Sequence, residues 1–283
     1  MGSIIRLARP RQWTKNSLVL AVPLAAGALS DRSALIQAVL AVIVFTLVAI
    51  ATYCLNDVVD VERDRAHATK RHRPVASGEV SIAIAILVAV VSVVVAVAIA
   101  ARLPTQFGLV AGGYLIWTTA YSLVLKHLAI VDLLGLGSGF VLRALAGAAV
   151  VQVRPSSWFL LTVASGSIVA AGGKRLAELR AGGDARPVNR EYNEPFLVQV
   201  IVIASACSLM GYALWALGDA QPTVTTPVAA ELTLVPVLYG VLRYLLLVSR
   251  GAGESPEDLL LSDRGLLSAA GSFAILAALA FYA

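Results

Sequence analysis

Long apolar segments follow one another along almost the whole chain, separated by short polar connections. A helix needs about 20 apolar residues to cross the ~30 Å hydrocarbon core of a bilayer, and a helix satisfies its own backbone hydrogen bonds there. The pattern therefore predicts an all-α integral membrane protein, with one transmembrane domain over residues 1–283. Nine spanning helices are expected, near 17–30, 34–57, 80–101, 106–125, 130–151, 157–174, 196–217, 230–249 and 265–282.

The composition supports this prediction. Hydrophobic residues make up 59% of the chain and charged residues 14%, whereas a soluble domain has roughly 25% charged residues. Residues 1–16 alternate apolar residues with cations around Trp13, which predicts an interfacial segment in the headgroup region. The net charge of +5 does not indicate a nucleic-acid partner, because the cations are distributed by side of the membrane.

The distribution of Lys and Arg predicts the orientation. With a cytoplasmic N-terminus, eighteen of the 22 cations lie inside, while Arg32, Arg102 and Arg154 lie outside and Arg143 lies within an apolar segment. This bias follows the positive-inside rule. It predicts a multi-pass protein of the plasma (inner) membrane, with its active site in the cytoplasm and its C-terminus outside.

The second apolar segment ends in an acidic motif, NDVVDVERD. At ~100° per helical residue, Asn56, Asp57, Asp60 and Asp64 fall within about 100° of arc, whereas Glu62 points the other way. Mg²⁺ usually takes one or two carboxylates and completes its shell with phosphate oxygens and water. The motif therefore predicts that the four residues on one face hold Mg²⁺ and a diphosphate at the membrane surface.

A cluster of cations, KRHR, follows the acids. Lys70 and Arg73 are its candidates for phosphate contacts, since Lys binds phosphate as a point charge and Arg as a fork. The alternative is that these residues only neutralise their acidic neighbours on the positive inner side. The periodic carboxylates upstream favour phosphate binding.

One arginine lies deep within an apolar segment. Arg143 is eleven residues from Asp132, which places it about 16 Å further along nearly the same helix face. A charge at that depth is expected to face a cavity or a partner rather than lipid. A structural ion pair is the alternative to a role in catalysis.

The sixth apolar segment ends in GKRLAEL, where Lys174 and Arg175 lie four and three residues before Glu178. A salt bridge at the helix end would explain this spacing. The cluster nevertheless lies at the same cytoplasmic level as the acidic motif, so we interpret the two as halves of one site, one acidic and one basic. Tyr192 in the next loop could stack or hydrogen-bond there, or be an ordinary interfacial tyrosine.

At these residues the chain resembles the UbiA superfamily of intramembrane prenyltransferases, whose NDxxDxxxD signature matches the acidic motif. The resemblance implies a nine-helix bundle and transfer of a prenyl group from its diphosphate. A typical member has a second aspartate-rich motif after the sixth helix. Here Lys174, Arg175 and Glu178 take its place, which argues against ordinary prenyl transfer to an aromatic ring.

A closer resemblance, to the decaprenyl-phosphate phosphoribosyltransferase family within that superfamily, covers nearly the whole chain. It is carried by PRQWTKN (10–16), the stretch 56–78, YSLVLKH (121–127), GFVLRALAG (139–147), GKRLAEL (173–179) and PEDLLLSDR (256–264). In that family the donor is phosphoribosyl pyrophosphate, the acceptor is a polyprenyl phosphate and the metal is Mg²⁺. The product is a precursor of arabinan, the arabinose-containing part of cell-wall arabinogalactan.

This resemblance implies a role for each candidate. Those expected to hold Mg²⁺ are Asn56, Asp57, Asp60 and Asp64, and these four with Arg143 form the catalytic group. The residues expected to bind the donor and acceptor are Lys15, Lys70, Arg73, Lys126, Lys174, Arg175, Glu178 and Tyr192.

Two alternatives stay open. One is prenyl transfer from a prenyl diphosphate to an aromatic acceptor. The other is an anionic-metabolite transporter, because intramembrane charges also mark transport paths. The almost wholly apolar outer half argues against transport, and small-residue helix faces permit a homo-oligomer in the lipid bilayer without specifying one.

Overall fold

The structure is a computed structural model, and it describes residues 2–67, 69–181, 191–218, 224–253 and 255–282. Every regular element in these ranges is a helix. The α-helices are α1 (Gly2–Ala8), α2 (Ala21–Ala25), α3 (Arg32–Val59), α4 (Val61–Arg65), α5 (Ile82–Ala100), α6 (Thr105–Leu123), α7 (Val131–Val150), α8 (Ser157–Arg180), α9 (Glu194–Ala216), α10 (Pro227–Leu232), α11 (Leu234–Ser249), α12 (Pro256–Ser262) and α13 (Arg264–Tyr282). The 3₁₀ helices are Pro10–Leu20, Ala28–Ser30, Lys70–His72 and Leu125–His127.

Within the described ranges, six helical spans are long and apolar enough to cross a membrane: α3, α5, α7, α9, α10 with α11, and α13. Two further helices, α6 with 19 residues and α8 with 24, match them in length. The predicted all-α membrane architecture is confirmed. The count of nine spanning helices is not confirmed and stays a prediction.

The first predicted helix, near 17–30, is not one continuous helix. An 11-residue 3₁₀ helix leads into the five-residue α2, and Gly27, with φ of 64°, ends this run. Packing explains the departure, because the segment lies directly on α7. A Cβ atom added at Gly147 of α7 would lie 1.9 Å from the carbonyl oxygen of Val19.

Helix α3 carries the acidic motif at its C-terminal end. It begins where the Asp31 side chain accepts a hydrogen bond from the Ala34 N–H at 2.8 Å. Its 28 residues give a length of about 42 Å at ~1.5 Å per residue, more than the ~30 Å hydrocarbon core. The helix stops at Asp60, whose φ of −91° and ψ of 7° leave the helical region, and α4 follows at once.

Helix α7 belongs to both large apolar cores. Its C-terminal half packs with α3, α6 and the N-terminal segment, where Phe45 lies 4.9 Å from Tyr114 and 6.1 Å from Phe107 between ring centroids. Its N-terminal half packs with α8, α9 and α11. The side chains of α7 therefore connect the part of the bundle that holds the acids with the part that holds Lys174 and Arg175.

Candidate active site

The acidic motif lies where α3 ends and α4 begins. The side chains of Asp57 and Asp64 are buried, with 1% and 3% exposed. The side chain of Glu62 is 80% exposed, so it points away from them as predicted. Burying two carboxylates is costly unless cations or hydrogen-bond donors compensate them.

Arg73 joins these two acids. Its Nη1 donates to Asp64 Oδ2 at 2.7 Å and to Asp57 Oδ1 at 3.3 Å. The residues that follow Arg73 fold back and pack with α1, α3 and the start of α5 in a small apolar core. The cationic cluster after the motif is thus held against the acids, and Arg73 compensates part of their negative charge.

Arg9 is a second cation on the motif, and the sequence indicated it only as part of a basic N-terminal segment. Its Nη2 donates to Asp57 Oδ1, and its guanidinium carbon lies 5.1 Å from the centroid of the Tyr53 ring. Forty-eight positions separate Arg9 from Asp57, so no local spacing could have revealed the pair.

The other oxygen of Asp57, Oδ2, is buried and has no hydrogen-bond partner among the described residues. Such an oxygen is a ready ligand for a hard cation, and carboxylates suit Mg²⁺. In the described part of the chain, however, no three His, Cys, Asp or Glu side chains are gathered as a metal cluster. The donor set therefore fits Mg²⁺ in chemistry, and side-chain movement is needed to bring the carboxylates together.

Lys126 reaches the motif from another part of the fold. It lies on the 3₁₀ helix after α6, and its Nζ is 3.4 Å from Asp60 Oδ2. Arg63 pairs with the same residue, with its Nη1 3.5 Å from Asp60 Oδ1, but 64% of the Arg63 side chain is exposed. Lys15 donates to Gln12 Oε1 at 2.6 Å within the first 3₁₀ helix.

Three further candidates are located by their elements. Asn56 is half-buried and directly precedes Asp57 on α3. Lys70 begins the 3₁₀ helix that ends just before Arg73. Lys174 is half-buried on α8, directly before Arg175.

The second group of candidates lies between α7 and α8, and we call it the basic centre: Lys174, Arg175 and Glu178 of α8 with Asp132 of α7. Arg175 donates from Nε to Asp132 Oδ2 at 2.6 Å and from Nη2 to Asp132 Oδ1 at 2.7 Å. Tyr121 donates to Asp132 Oδ1 at 2.7 Å, and Arg175 Nη1 donates to Glu178 Oε2 at 2.6 Å. Since Arg175 and Asp132 are at most 1% exposed, this is a buried ion pair with a phenol in its network.

Tyr192 is buried rather than interfacial, with 6% exposed. Its hydroxyl accepts the Ile130 N–H at 2.9 Å, and its ring stacks on Phe196 with centroids 5.9 Å apart. Burial raises the pKa of the Tyr192 hydroxyl above its usual value. The contact fixes the turn before α7, where Ile130 has a left-handed φ of 66°, and so supports Asp132 two residues on.

Arg143 binds neutral partners. Its Nε donates to Asn16 Oδ1 at 2.8 Å, Nη1 to the Gly139 carbonyl at 2.8 Å and Nη2 to the Tyr114 hydroxyl at 2.7 Å. No carboxylate among the described residues forms an ion pair with it. Arg143 thus has partners inside the bundle, as expected, and its hydrogen bond to Asn16 ties α7 to the N-terminal 3₁₀ helix.

Two apolar cavities approach these centres. One, of about 320 Å³ between α3, α5 and α6, includes Cys54 and Val58 on either side of Asp57 in the sequence. Its outer wall is open, since Val90 and Val94 are 54% and 60% exposed. The other, of about 380 Å³, lies between α8, α9, α11 and α13 and includes Tyr244.

Comparison with known proteins agrees with this architecture. The sequence model of the UbiA prenyltransferase family matches residues 17–262. The decaprenyl-phosphate phosphoribosyltransferase of Corynebacterium glutamicum is 36% identical over 271 residues, covering 93% of this chain and 82% of that protein. The enzyme of the same name from Mycobacterium tuberculosis is 38% identical over 274 residues, covering 94% and 90%. A UbiA homologue from Archaeoglobus fulgidus bound to DMAPP and Mg²⁺ superposes with a TM-score of 0.76 at 20% identity, over 98% of this chain and 97% of that one.

Proposed function

Because the chain belongs to the UbiA prenyltransferase family, we propose that it transfers 5-phosphoribose from phosphoribosyl pyrophosphate to a polyprenyl phosphate and releases pyrophosphate. The observation that carries this proposal is the likeness, over more than nine-tenths of the chain, to proteins named decaprenyl-phosphate phosphoribosyltransferase. The cations around the acidic motif, Arg9, Arg73 and Lys126, are consistent with it, since a donor with three phosphate groups needs more cations than a prenyl diphosphate. The product would be the precursor of cell-wall arabinan.

In this proposal the acidic motif holds Mg²⁺. Asp57 offers its unpartnered Oδ2, and Asp60 and Asp64 supply further oxygens next to Asn56. Bound Mg²⁺ would neutralise charge on the departing pyrophosphate. Arg73 lies against Asp64 and Lys126 against Asp60, and these contacts support a role for both cations in binding the pyrophosphate oxygens.

The chemistry needs no protein base. A phosphate monoester has a second pKa of about 6 and is largely a dianion at neutral pH. One of its oxygens forms a bond to the anomeric carbon of the donor, while the bond from that carbon to the pyrophosphate oxygen breaks and the electron pair leaves with pyrophosphate. The protein contributes alignment and charge stabilisation, which commonly dominate such transfers.

The acceptor explains why the site is in a membrane protein. We place its polyprenyl tail in the groove between α3, α5 and α6, because that groove reaches the residues flanking Asp57 and opens on the apolar surface. Ala89 lines it, so Ala89→Trp should raise the KM for the lipid without changing the KM for the donor. A variant with both values unchanged would place the lipid elsewhere.

We also propose that the protein lies in the plasma membrane with its active site facing the cytoplasm, because the positive-inside bias of the loops favours that orientation.

The deciding experiment combines purified protein in detergent with phosphoribosyl pyrophosphate, a polyprenyl phosphate and Mg²⁺. We expect pyrophosphate and a phosphoribosyl lipid in equal amounts, and neither when the lipid is omitted. Pyrophosphate release without the lipid would reject the proposal. Activity only with a prenyl diphosphate and an aromatic acceptor would favour ordinary prenyl transfer instead.

A further inference from the structure

The charges buried at the acidic motif already balance. Asp57 and Asp64 carry two negative charges, and Arg9 and Arg73 carry two positive charges in direct contact with them. A divalent cation added to this set would leave it with a net charge of two. Metal binding and arginine pairing therefore compete for the same two carboxylates.

The contacts on Asp57 divide the carboxylate between these two uses. Both arginines donate to Oδ1, while Oδ2 has no partner among the described residues. A metal on Oδ2 would face two guanidinium groups on the other oxygen of the same carboxylate. The repulsion between these cations favours movement of an arginine when the metal binds.

Arg9 is the cation better placed to move. Arg73 pairs with both acids, whereas Arg9 pairs with Asp57 and with no other carboxylate among the described residues. Arg9 also lies in the connection between α1 and the first 3₁₀ helix, with a left-handed backbone, φ 51° and ψ 63°. Its side chain is 28% exposed, about as much as the 29% of Arg73, so exposure allows either cation to move, and the smaller number of acid contacts is what favours Arg9.

We propose that Arg9 exchanges partners during substrate binding: it neutralises Asp57 in the empty site and moves to a phosphate oxygen of the donor when the metal and donor bind. A guanidinium fork matches phosphate as well as carboxylate, and the Tyr53 ring, 5.1 Å from the Arg9 guanidinium carbon, lies beside it in the present arrangement. The identity of the donor rests on the proposed function. The competition with metal does not.

The test uses Arg9→Gln with Mn²⁺ alone as the probe, titrated by electron paramagnetic resonance without any substrate. Removing the competing cation should tighten Mn²⁺ binding roughly tenfold, equal to about 1.4 kcal/mol. In a separate assay the KM for phosphoribosyl pyrophosphate should rise at least as much. Arg6→Gln is the matched control, because Arg6 lies on the same segment but pairs with the exposed Glu79, and both values should stay unchanged.

Other outcomes would overturn the proposal. Weaker Mn²⁺ binding in Arg9→Gln would mean that Arg9 supports the site structurally, and unchanged binding would mean that there is no competition. Tighter Mn²⁺ binding with an unchanged KM would remove the phosphate contact. Arg9→Lys keeps the charge and should keep Mn²⁺ binding near that of the parent protein. A change seen only in Arg9→Gln would then be an effect of the lost charge rather than of any substitution at this position. Since the Mn²⁺ titration contains no donor, it separates failure of this inference from failure of the proposed function.

Discussion

Lys126 Nζ lies 3.4 Å from Asp60 Oδ2, and both side chains are largely buried, with 15% and 22% exposed. The contact joins the 3₁₀ helix after α6 to the end of α3. Five residues before Lys126, Tyr121 donates to Asp132 in the basic centre. The segment 121–126 thus contacts both centres, and it connects the two halves that the sequence predicted as one site.

Lys126→Met should lower kcat/KM roughly tenfold, the loss expected for a hydrogen bond between charged groups. Arg63→Gln is the matched control, because Arg63 pairs with the same Asp60 from an exposed position and exposed pairs contribute little. Steady-state kinetics with both substrates would measure the difference. Equal effects of the two substitutions would contradict a specific role for Lys126.

Asp57→Asn and Asp64→Asn should each abolish turnover, since each removes a carboxylate charge from the proposed metal site while keeping the size of the side chain. The expected loss is above roughly 100-fold. Glu62→Gln, in the same motif but 80% exposed, should retain activity. Circular dichroism and gel filtration would show that the variants are folded, and full activity in a folded Asp57→Asn would reject the metal assignment.

The sequence was a good guide to features that repeat locally. Hydropathy predicted the helices, and helical periodicity predicted the acids on one face with Glu62 opposite. The first helix was predicted wrongly as one continuous α-helix, because apolar composition does not distinguish an α-helix from the 3₁₀ segment that packs on Gly147.

The long-range contacts could not be predicted in this way. Arg175 and Asp132 are 43 positions apart, and Arg143 and Asn16 are 127 apart. Which cation pairs with which acid depends on how distant helices pack, and the sequence alone allows several acids as partners for each cation. The charges at the site could therefore be predicted, but their pairing could not.

Asp132→Asn should destabilise the protein by about 3–5 kcal/mol, because it leaves Arg175 buried beside a weaker partner. The double substitution Asp132→Leu with Arg175→Met should recover much of that stability, since it removes both charges. Thermal unfolding in detergent would measure both. If Arg175 also serves a substrate phosphate, as the family resemblance implies, the recovered double variant will be stable but inactive, and an active double variant would make the pair purely structural.

Gly147→Ala should disrupt the N-terminal half of the fold, because the new Cβ atom would lie 1.9 Å from the Val19 carbonyl oxygen. The 3₁₀ helix would have to move away from α7, and Asn16 would then lose its contact with Arg143. We expect a lower unfolding temperature and weaker activity together. Gly112→Ala on α6 is the control, since among the described residues no atom beyond its own stretch of helix lies within 4 Å of its Cβ position, and replacing a helical glycine with alanine stabilises by roughly 0.5–1 kcal/mol. A Gly147→Ala protein as stable as the Gly112→Ala protein would show that the segment does not depend on this close approach.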